Sequence, residues 1–142
     1  DLFAGSGALC LEALSRGAAE VVMVEQAPAV AARLRENLAR LKAEPARVEN
    51  CDATAFLARA VEPFDIIFLD PPFASDLIAR CAQLIAERGW VVPDGLVYIE
   101  APSGMEPLPI PSDWQLIRSK KAGQVGYHLA RVPGAPARED KK

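Results

Sequence analysis

Histidine and cysteine are scarce in this sequence, which has one His and three Cys among its 142 residues. The histidine, His128, has no Ser or Cys partner in a recognisable nucleophile motif, so the sequence does not support Ser-His-Asp chemistry. The cysteines Cys10, Cys51 and Cys81 are odd in number and too far apart for a metal-ligand motif. We therefore expect reduced thiols, with no disulfide framework and no metal site.

The sequence also lacks an apolar run of transmembrane length and a signal-peptide pattern, which favours a cytoplasmic protein with no membrane partner. An excess of basic residues is missing as well, because 16 Lys and Arg stand against 19 Asp and Glu, a net charge of −3. This balance excludes a broad basic surface for non-specific nucleic-acid binding. A local patch at Arg118, Lys120 and Lys121 is one interpretation of the basic residues, and a solvated strand edge is the other.

The sequence does contain an alternation of predicted strands and helices. Apolar, β-favouring runs predict strands over 21–24, 64–69 and 96–100, and residues 47–50 are a short strand candidate. Apolar spacing predicts helices over 8–16, 28–42, 53–61 and 77–88. Two further strands, 114–119 and 125–132, are joined by a short connection, which favours an antiparallel hairpin. The fold class is therefore α/β, with a mostly parallel sheet and a C-terminal hairpin.

The apolar run 64–69 predicts a core strand buried on both faces of the sheet. Asp70, Pro71, Pro72 and Phe73 follow it directly. Proline cannot donate to a strand ladder, so the strand ends here. It presents a carboxylate, rigid carbonyl groups and an aromatic ring at the carboxyl edge of the sheet. In open α/β sheets this edge is where ligands bind.

Gly5-Ser6-Gly7 lies between a short apolar stretch and a predicted helix. Glycine at such a turn lets the backbone approach a ligand, although a plain strand-to-helix turn has the same pattern. A dinucleotide fingerprint would place a third glycine where this chain has Cys10. That departure argues against a pyrophosphate site and against an NAD-dependent oxidoreductase.

Acidic residues follow the next two predicted strands. Glu25 is placed to accept hydrogen bonds from ribose hydroxyls, or is an acid without a specific role. Asp52 is placed to contact an adenine amino group, to cap the following helix, or to do both. Together with the turn at Gly5 and Gly7, these strand ends describe an adenosine-binding edge, and Asp70 ends the fourth strand beside it.

Several segments of the chain together resemble the RsmD family. These are class I S-adenosyl-L-methionine-dependent methyltransferases that act on a guanine N2 of small-subunit ribosomal RNA. The segments that carry the resemblance are residues 1–9, 12–17, 25, 70–73, 89–90 and 121–127. The resemblance covers residues 1 to about 132 and implies a Rossmann-like, three-layer methyltransferase fold. It also implies 16S rRNA as partner, within the small ribosomal subunit, and we expect a monomer.

The resemblance, carried over residue by residue, implies two sets of site residues at the carboxyl edge of the sheet. The implied cofactor-binding residues are Asp1, Phe3, Ala4, Gly5, Ser6, Gly7, Glu25, Gln26, Asp52 and Ala53. The implied catalytic residues are Asp70, Pro71, Pro72 and Phe73. Asp70 and a carbonyl of the Pro-Pro step would accept the two N–H bonds of the base amine, and Phe73 would stack on the base.

Other functions stay open at this point. The acceptor could be another planar nitrogen, such as adenine N6 or a glutamine amide, or the chain could bind the cofactor without catalysing transfer. We expect a methyltransferase domain over residues 1–132 and a disordered tail over 133–142. Because RsmD family members carry further residues before position 1, we interpret the chain as a fragment.

Overall fold

The computed structural model describes residues 1–72 and 76–134. The helices are α1 (Ala8–Ser15), α2 (Pro28–Leu41), α3 (Ala53–Leu57) and α4 (Asp76–Arg88). The strands are β1 (Val21–Val24), β2 (Ala46–Glu49), β3 (Phe64–Leu69), β4 (Val91–Pro102), β5 (Gln115–Ala122) and β6 (Val125–Arg131). Their alternation confirms the α/β prediction. Phe73 and the tail residues 135–142 lie outside the described ranges.

The strands form a parallel pair, β1-β2, and a four-stranded sheet of order β3-β4-β6-β5. Within the second sheet β3 and β4 are parallel, and β6 is antiparallel to both β4 and β5. Residues 1–4 join the two sheets: Ala4 N donates to Val24 O at 2.9 Å, and Leu2 N donates to Phe68 O at 3.1 Å. The carboxyl ends of β1 to β4 therefore meet at one edge, and the predicted C-terminal hairpin is confirmed.

Helices pack on both faces of this assembly, giving three layers. On one face, Val21 and Met23 of β1 share a buried cluster with Leu34 and Leu38 of α2. The larger cluster lies on the other face, beneath α3 and α4, and includes Val22, Val24, Ile67, Leu69, Ile78, Ile85, Val97 and Ile99. Burial of each such side chain contributes roughly 1.5–3 kcal/mol, so these clusters hold the strand ends in place.

One face of β3 is open, contrary to the sequence-based expectation. Ile67 and Leu69 are buried beneath α4, whereas Ile66 is 46% exposed and Phe68 is half-buried. The helices α1 and α2 pack on β1 and β2 instead. The prediction that this strand is buried on both faces is therefore wrong for the described residues. Residues of β1 and β3 line a cavity of about 600 Å³.

The strand β4 begins earlier than predicted. Val91 pairs with Phe64 and Leu96 with Ile66, so the intervening residues of β4 form an excursion within the strand. A Cβ on Gly95 would lie 2.4 Å from Val91 Cγ1 and 2.8 Å from Val92 O, which explains glycine at this position. Strand pairing continues on both sides of this excursion.

The helix α3 ends at Leu57, four residues before the predicted end. Arg88 Nη2 of α4 donates to the carbonyl groups of Ala58 and Arg59, at 3.2 and 2.8 Å. These bonds satisfy two carbonyl groups directly after the end of α3.

Candidate active site

A cavity of about 670 Å³ opens at the carboxyl edge of the sheet. Most of the predicted site residues line it: Phe3, Gly5, Glu25, Gln26, Asp52, Ala53, Asp70, Pro71 and Pro72. A cavity of this volume accommodates a ligand of nucleoside size or larger. The structure therefore brings six of the ten predicted cofactor residues and three of the four predicted catalytic residues to one cavity, and their individual roles stay predictions.

Four of the predicted cofactor residues do not line this cavity: Asp1, Ala4, Ser6 and Gly7. Gly7 has a φ of 83°, and a Cβ there would lie 2.8 Å from Leu34 Cδ2, so its glycine makes room for α2. Gly5 has a φ of 53°, and a Cβ there would meet only Phe3 O, at 4.0 Å. Of the two glycines, Gly5 is the one that lines the cavity.

The carboxylate of Glu25 is fixed at the tip of β1 by backbone donors. Its Oε1 accepts from Gly5 N at 2.9 Å, and its Oε2 accepts from Ala27 N at 3.0 Å. Asn50 Nδ2 donates to the carbonyl oxygens of Glu25 and Gln26, at 2.8 and 3.1 Å. A carboxylate has about four acceptor positions, so Glu25 can still accept bonds from a diol.

Asp52 caps the amino end of α3. Its Oδ2 accepts from Thr54 N at 2.9 Å, from Ala55 N at 3.2 Å and from the Thr54 hydroxyl. The hydroxyl bond lowers the pKa of Asp52, which keeps the group ionised. Its Oδ1 accepts no hydrogen bond from the residues that the structure describes. The capping interpretation is therefore confirmed, and it leaves one oxygen for a ligand.

Asp70 follows β3 and is half-buried at the cavity wall. Burial, and to a smaller extent the neighbouring Glu100 carboxylate, raises the pKa of Asp70 to about 6. The group is mostly ionised at neutral pH and is more basic than an ordinary aspartate. It is therefore a stronger acceptor for an N–H group than a solvated carboxylate would be.

The structure adds cavity residues that the sequence interpretation missed: Leu2, Leu77, Ile78, Glu100, Ala101, Pro102, Gln124 and Val125. Glu100 is the acidic member of this set. Its Oε2 accepts from Tyr98 Oη at 2.8 Å. Burial, together with this hydrogen bond, raises the pKa of Tyr98, so the phenol remains a donor. The sequence pattern could have indicated Glu100, because it is the last residue of the predicted strand 96–100 and Asp70 directly follows the predicted strand 64–69.

The remaining predicted features lie away from the cavity. Arg118, Lys120 and Lys121 are exposed on β5, with Lys121 Nζ 3.4 Å from Glu106 Oε2. His128 Nδ1 lies 2.8 Å from Ser119 Oγ across the β5–β6 pair, a contact that fits a structural role. Within residues 1–72 and 76–134, no helix is long and apolar enough to cross a membrane.

The comparison with known proteins agrees with this architecture. Residues 1–131 match the profile of a family described as "Conserved hypothetical protein 95". The chain belongs to this family, the RsmD family. The resemblance stated from the sequence is therefore confirmed.

Relatives in this family carry the name "Ribosomal RNA small subunit methyltransferase D". The protein of that name from Escherichia coli K12 is 46% identical over 129 residues, which are 91% of this chain and 65% of the relative. The one from Haemophilus influenzae is 41% identical over 133 residues, 91% of this chain and 68% of the relative. The chain thus spans slightly less than two thirds of the Escherichia coli relative.

A solved structure confirms the fold. The Escherichia coli protein yhhF, described as a candidate methyltransferase, superimposes with a TM-score of 0.88 at 44% identity. The match covers 95% of this chain and 75% of that chain. The Rossmann-like methyltransferase fold, with its C-terminal hairpin, is the fold of this protein.

Proposed function

We propose that the protein transfers a methyl group from S-adenosyl-L-methionine to the exocyclic N2 of a guanine in 16S rRNA. One observation carries the proposal: Gly5, Glu25 and Asp52 line the same cavity as Asp70 and the Pro-Pro step. An adenosyl site and an amine-holding acid in one cavity are what methyl transfer to a base amine requires. The name that relatives of the family carry supports a small-subunit rRNA as substrate.

The residues on the cofactor side fit an adenosyl ligand. Gly5 keeps the cavity wall free of a side chain, and Phe3 and Ala53 supply apolar lining. Glu25 is fixed by two backbone donors and retains acceptor capacity for ribose hydroxyls. Asp52 offers Oδ1 to an adenine amino group. S-adenosyl-L-methionine held there supplies an electrophilic methyl group on a sulfonium centre.

On the base side, Asp70 overcomes the weak nucleophilicity of a guanine amine, whose lone pair is delocalised into the ring. Its carboxylate accepts one N–H bond and a carbonyl of Pro71 or Pro72 accepts the other, which aims the lone pair at the methyl carbon. Such positioning can lower a barrier by ~7–11 kcal/mol. Asp70 also stabilises the positive charge that develops on nitrogen and accepts the proton that nitrogen loses, before passing it to water.

The partner in this proposal is 16S rRNA within the small ribosomal subunit, in the cytoplasm, with a monomer of residues 1–132 as the methyltransferase domain. Arg118 and Lys120 on the exposed strand β5 are basic residues available for phosphate contacts.

The test is methyl transfer from labelled S-adenosyl-L-methionine to naked 16S rRNA, small subunits, DNA and protein. After nuclease digestion of the RNA, we expect the label in N2-methylguanosine. Label in N6-methyladenosine or in methylglutamine would contradict the guanine assignment. Binding of S-adenosylhomocysteine without transfer to any acceptor would instead identify a cofactor-binding module. A thermal shift with NAD, and none with S-adenosylhomocysteine, would contradict S-adenosyl-L-methionine as the cofactor.

A further inference from the structure

We propose that Glu100 reads the target base, by accepting the N1–H of guanine next to the N2 amine held by Asp70. This inference rests on the function proposed above and names the residue that makes the site selective for guanine.

The strand register places the two carboxylates side by side. Leu69 pairs with Ile99 in the parallel β3–β4 ladder, so Asp70, directly after β3, comes next to Glu100 of β4. Adjacent strands lie about 4.8 Å apart. Both side chains line the same cavity, and the Glu100 carboxylate contributes to the raised pKa of Asp70.

The cavity groups are arranged in the order of the guanine edge. The cofactor residues come from residues 3–5, β1 and β2. Asp70 follows on β3, Glu100 on β4, and Gln124 lies between β5 and β6. The Watson–Crick edge of guanine carries the N2 amine, then N1–H, then the O6 acceptor. Two carboxylates followed by an amide donor complement that sequence of donor, donor and acceptor.

Adenine does not complement this order. If adenine placed its N6 amine at Asp70, its N1 lone pair would face the carboxylate of Glu100. Two acceptors facing one another repel and lose their solvation, which is how a buried polar site rejects a wrong ligand. Glu100 therefore discriminates between two bases whose amines Asp70 alone could hold.

Tyr98 positions Glu100 for this task. Its hydroxyl donates to Glu100 Oε2, which leaves Oε1 for the base. The Tyr98 ring packs edge-on against Phe68, with ring centroids 5.9 Å apart, so the phenol is itself held in place. Tyr98 thus acts through Glu100.

The experiment compares two acceptors in otherwise identical RNA, one with the target guanosine and one with 2-aminopurine ribonucleoside in its place. The second base keeps the N2 amine but has a lone pair on N1 and lacks O6. Wild-type protein should methylate the guanosine RNA at least about tenfold faster. In Glu100→Gln the amide can donate to that N1, so the guanosine preference should fall by about tenfold.

Glu87→Gln is the matched control, because Glu87 is an exposed carboxylate on α4, away from the cavity. It should leave both rates unchanged. Tyr98→Phe should shift the preference in the same direction as Glu100→Gln but by less, and it tests the inference independently should Glu100→Gln fold poorly.

The outcomes separate the two proposals. If wild-type protein methylates guanosine RNA and the substitutions slow both acceptors equally, the role of Glu100 is overturned while the proposed function stands. If wild-type protein transfers no methyl group to guanosine RNA, the proposed function fails, and the role of Glu100 fails with it.

Discussion

The two ends of the cavity hold their carboxylates in opposite ways. At the cofactor end, Glu25 and Asp52 accept hydrogen bonds from backbone N–H groups, and the pKa of Asp52 is lowered. At the base end, Asp70 lies beside Glu100, and its pKa is raised to about 6 by burial and by that neighbour. Among the described residues, no donor to Asp70 offsets the burial.

This difference shows where the fold and the function share residues. The acids at the proposed cofactor end stabilise loops and a helix terminus, so we expect substitutions there to affect both ligand affinity and folding. Ionisation of Asp70 is opposed by its surroundings in the folded protein, so the fold carries this group at a cost to stability. The predictions below test that division.

The largest effect is expected for Asp70→Asn. The amide is a weaker acceptor and cannot take a proton, so methyl transfer should fall by at least about a hundredfold. Calorimetric titration with S-adenosylhomocysteine should give a dissociation constant within about twofold of wild type, because the substituted side chain lies outside the proposed cofactor end. Asp65→Asn, at the exposed start of the same strand, is the control. Unchanged turnover would remove Asp70 from the mechanism.

The converse effect is expected for Glu25→Gln. Loss of the charge and of one acceptor oxygen should weaken S-adenosylhomocysteine binding by about tenfold or more. At saturating cofactor kcat should stay within about threefold of wild type, because the base end is unaltered. Glu44→Gln, in the exposed loop after α2, is the matched control. A fall in kcat with unchanged affinity would contradict the division between the two ends.

The pH profile should also differ between the two ends. Because the pKa of Asp70 is raised to about 6, kcat/KM should rise by about tenfold from pH 5 to pH 7. The Glu100 carboxylate lines the same cavity and contributes to that raised pKa, so Glu100→Gln should move the profile to lower pH. Cofactor affinity should stay nearly constant over this range. A flat profile of kcat/KM would contradict the assignment of Asp70.

Protein stability gives an independent check on the same group. The unfolded carboxyl loses its proton near pH 3.8, whereas the folded one keeps it to about pH 6. The folded state binds more protons in that window, so stability falls as the pH rises through it. Thermal unfolding of Asp70→Asn should lack this part of the pH dependence.

The smallest effects are expected for the two glycines of the turn. Gly7→Ala should lower the free energy of unfolding by about 1–3 kcal/mol, because the φ is positive and Leu34 must move. Gly5→Ala should cost about 1 kcal/mol, but should weaken cofactor binding, because its Cβ enters the cavity. Chemical unfolding and calorimetric titration measure the two effects separately. Equal loss of affinity in both variants would contradict the distinction.

Sequence patterns predicted much of this arrangement because strand ends are marked by local chemistry. Glycine at position 5, the acid at 25 and the Asp-Pro-Pro step at 70–72 each follow an apolar stretch, and the acid at 52 follows a short predicted strand. The packing role of Gly7 depends on Leu34, which is distant in the sequence, so no local pattern reveals it. The open face of β3 likewise depends on where α1 and α2 pack.

The junction at residues 1–4 has a consequence for the reaction rate. In the described part of the chain, the bond from Leu2 N to Phe68 O is the one backbone link from this junction to β3. Beside this single bond, the buried cluster that Val22 and Val24 of β1 share with Ile67 and Leu69 of β3 holds the two sides of the cavity together. We therefore expect the distance between methyl donor and acceptor to depend on this packing, so a substitution that loosens it would lower turnover and leave both affinities intact.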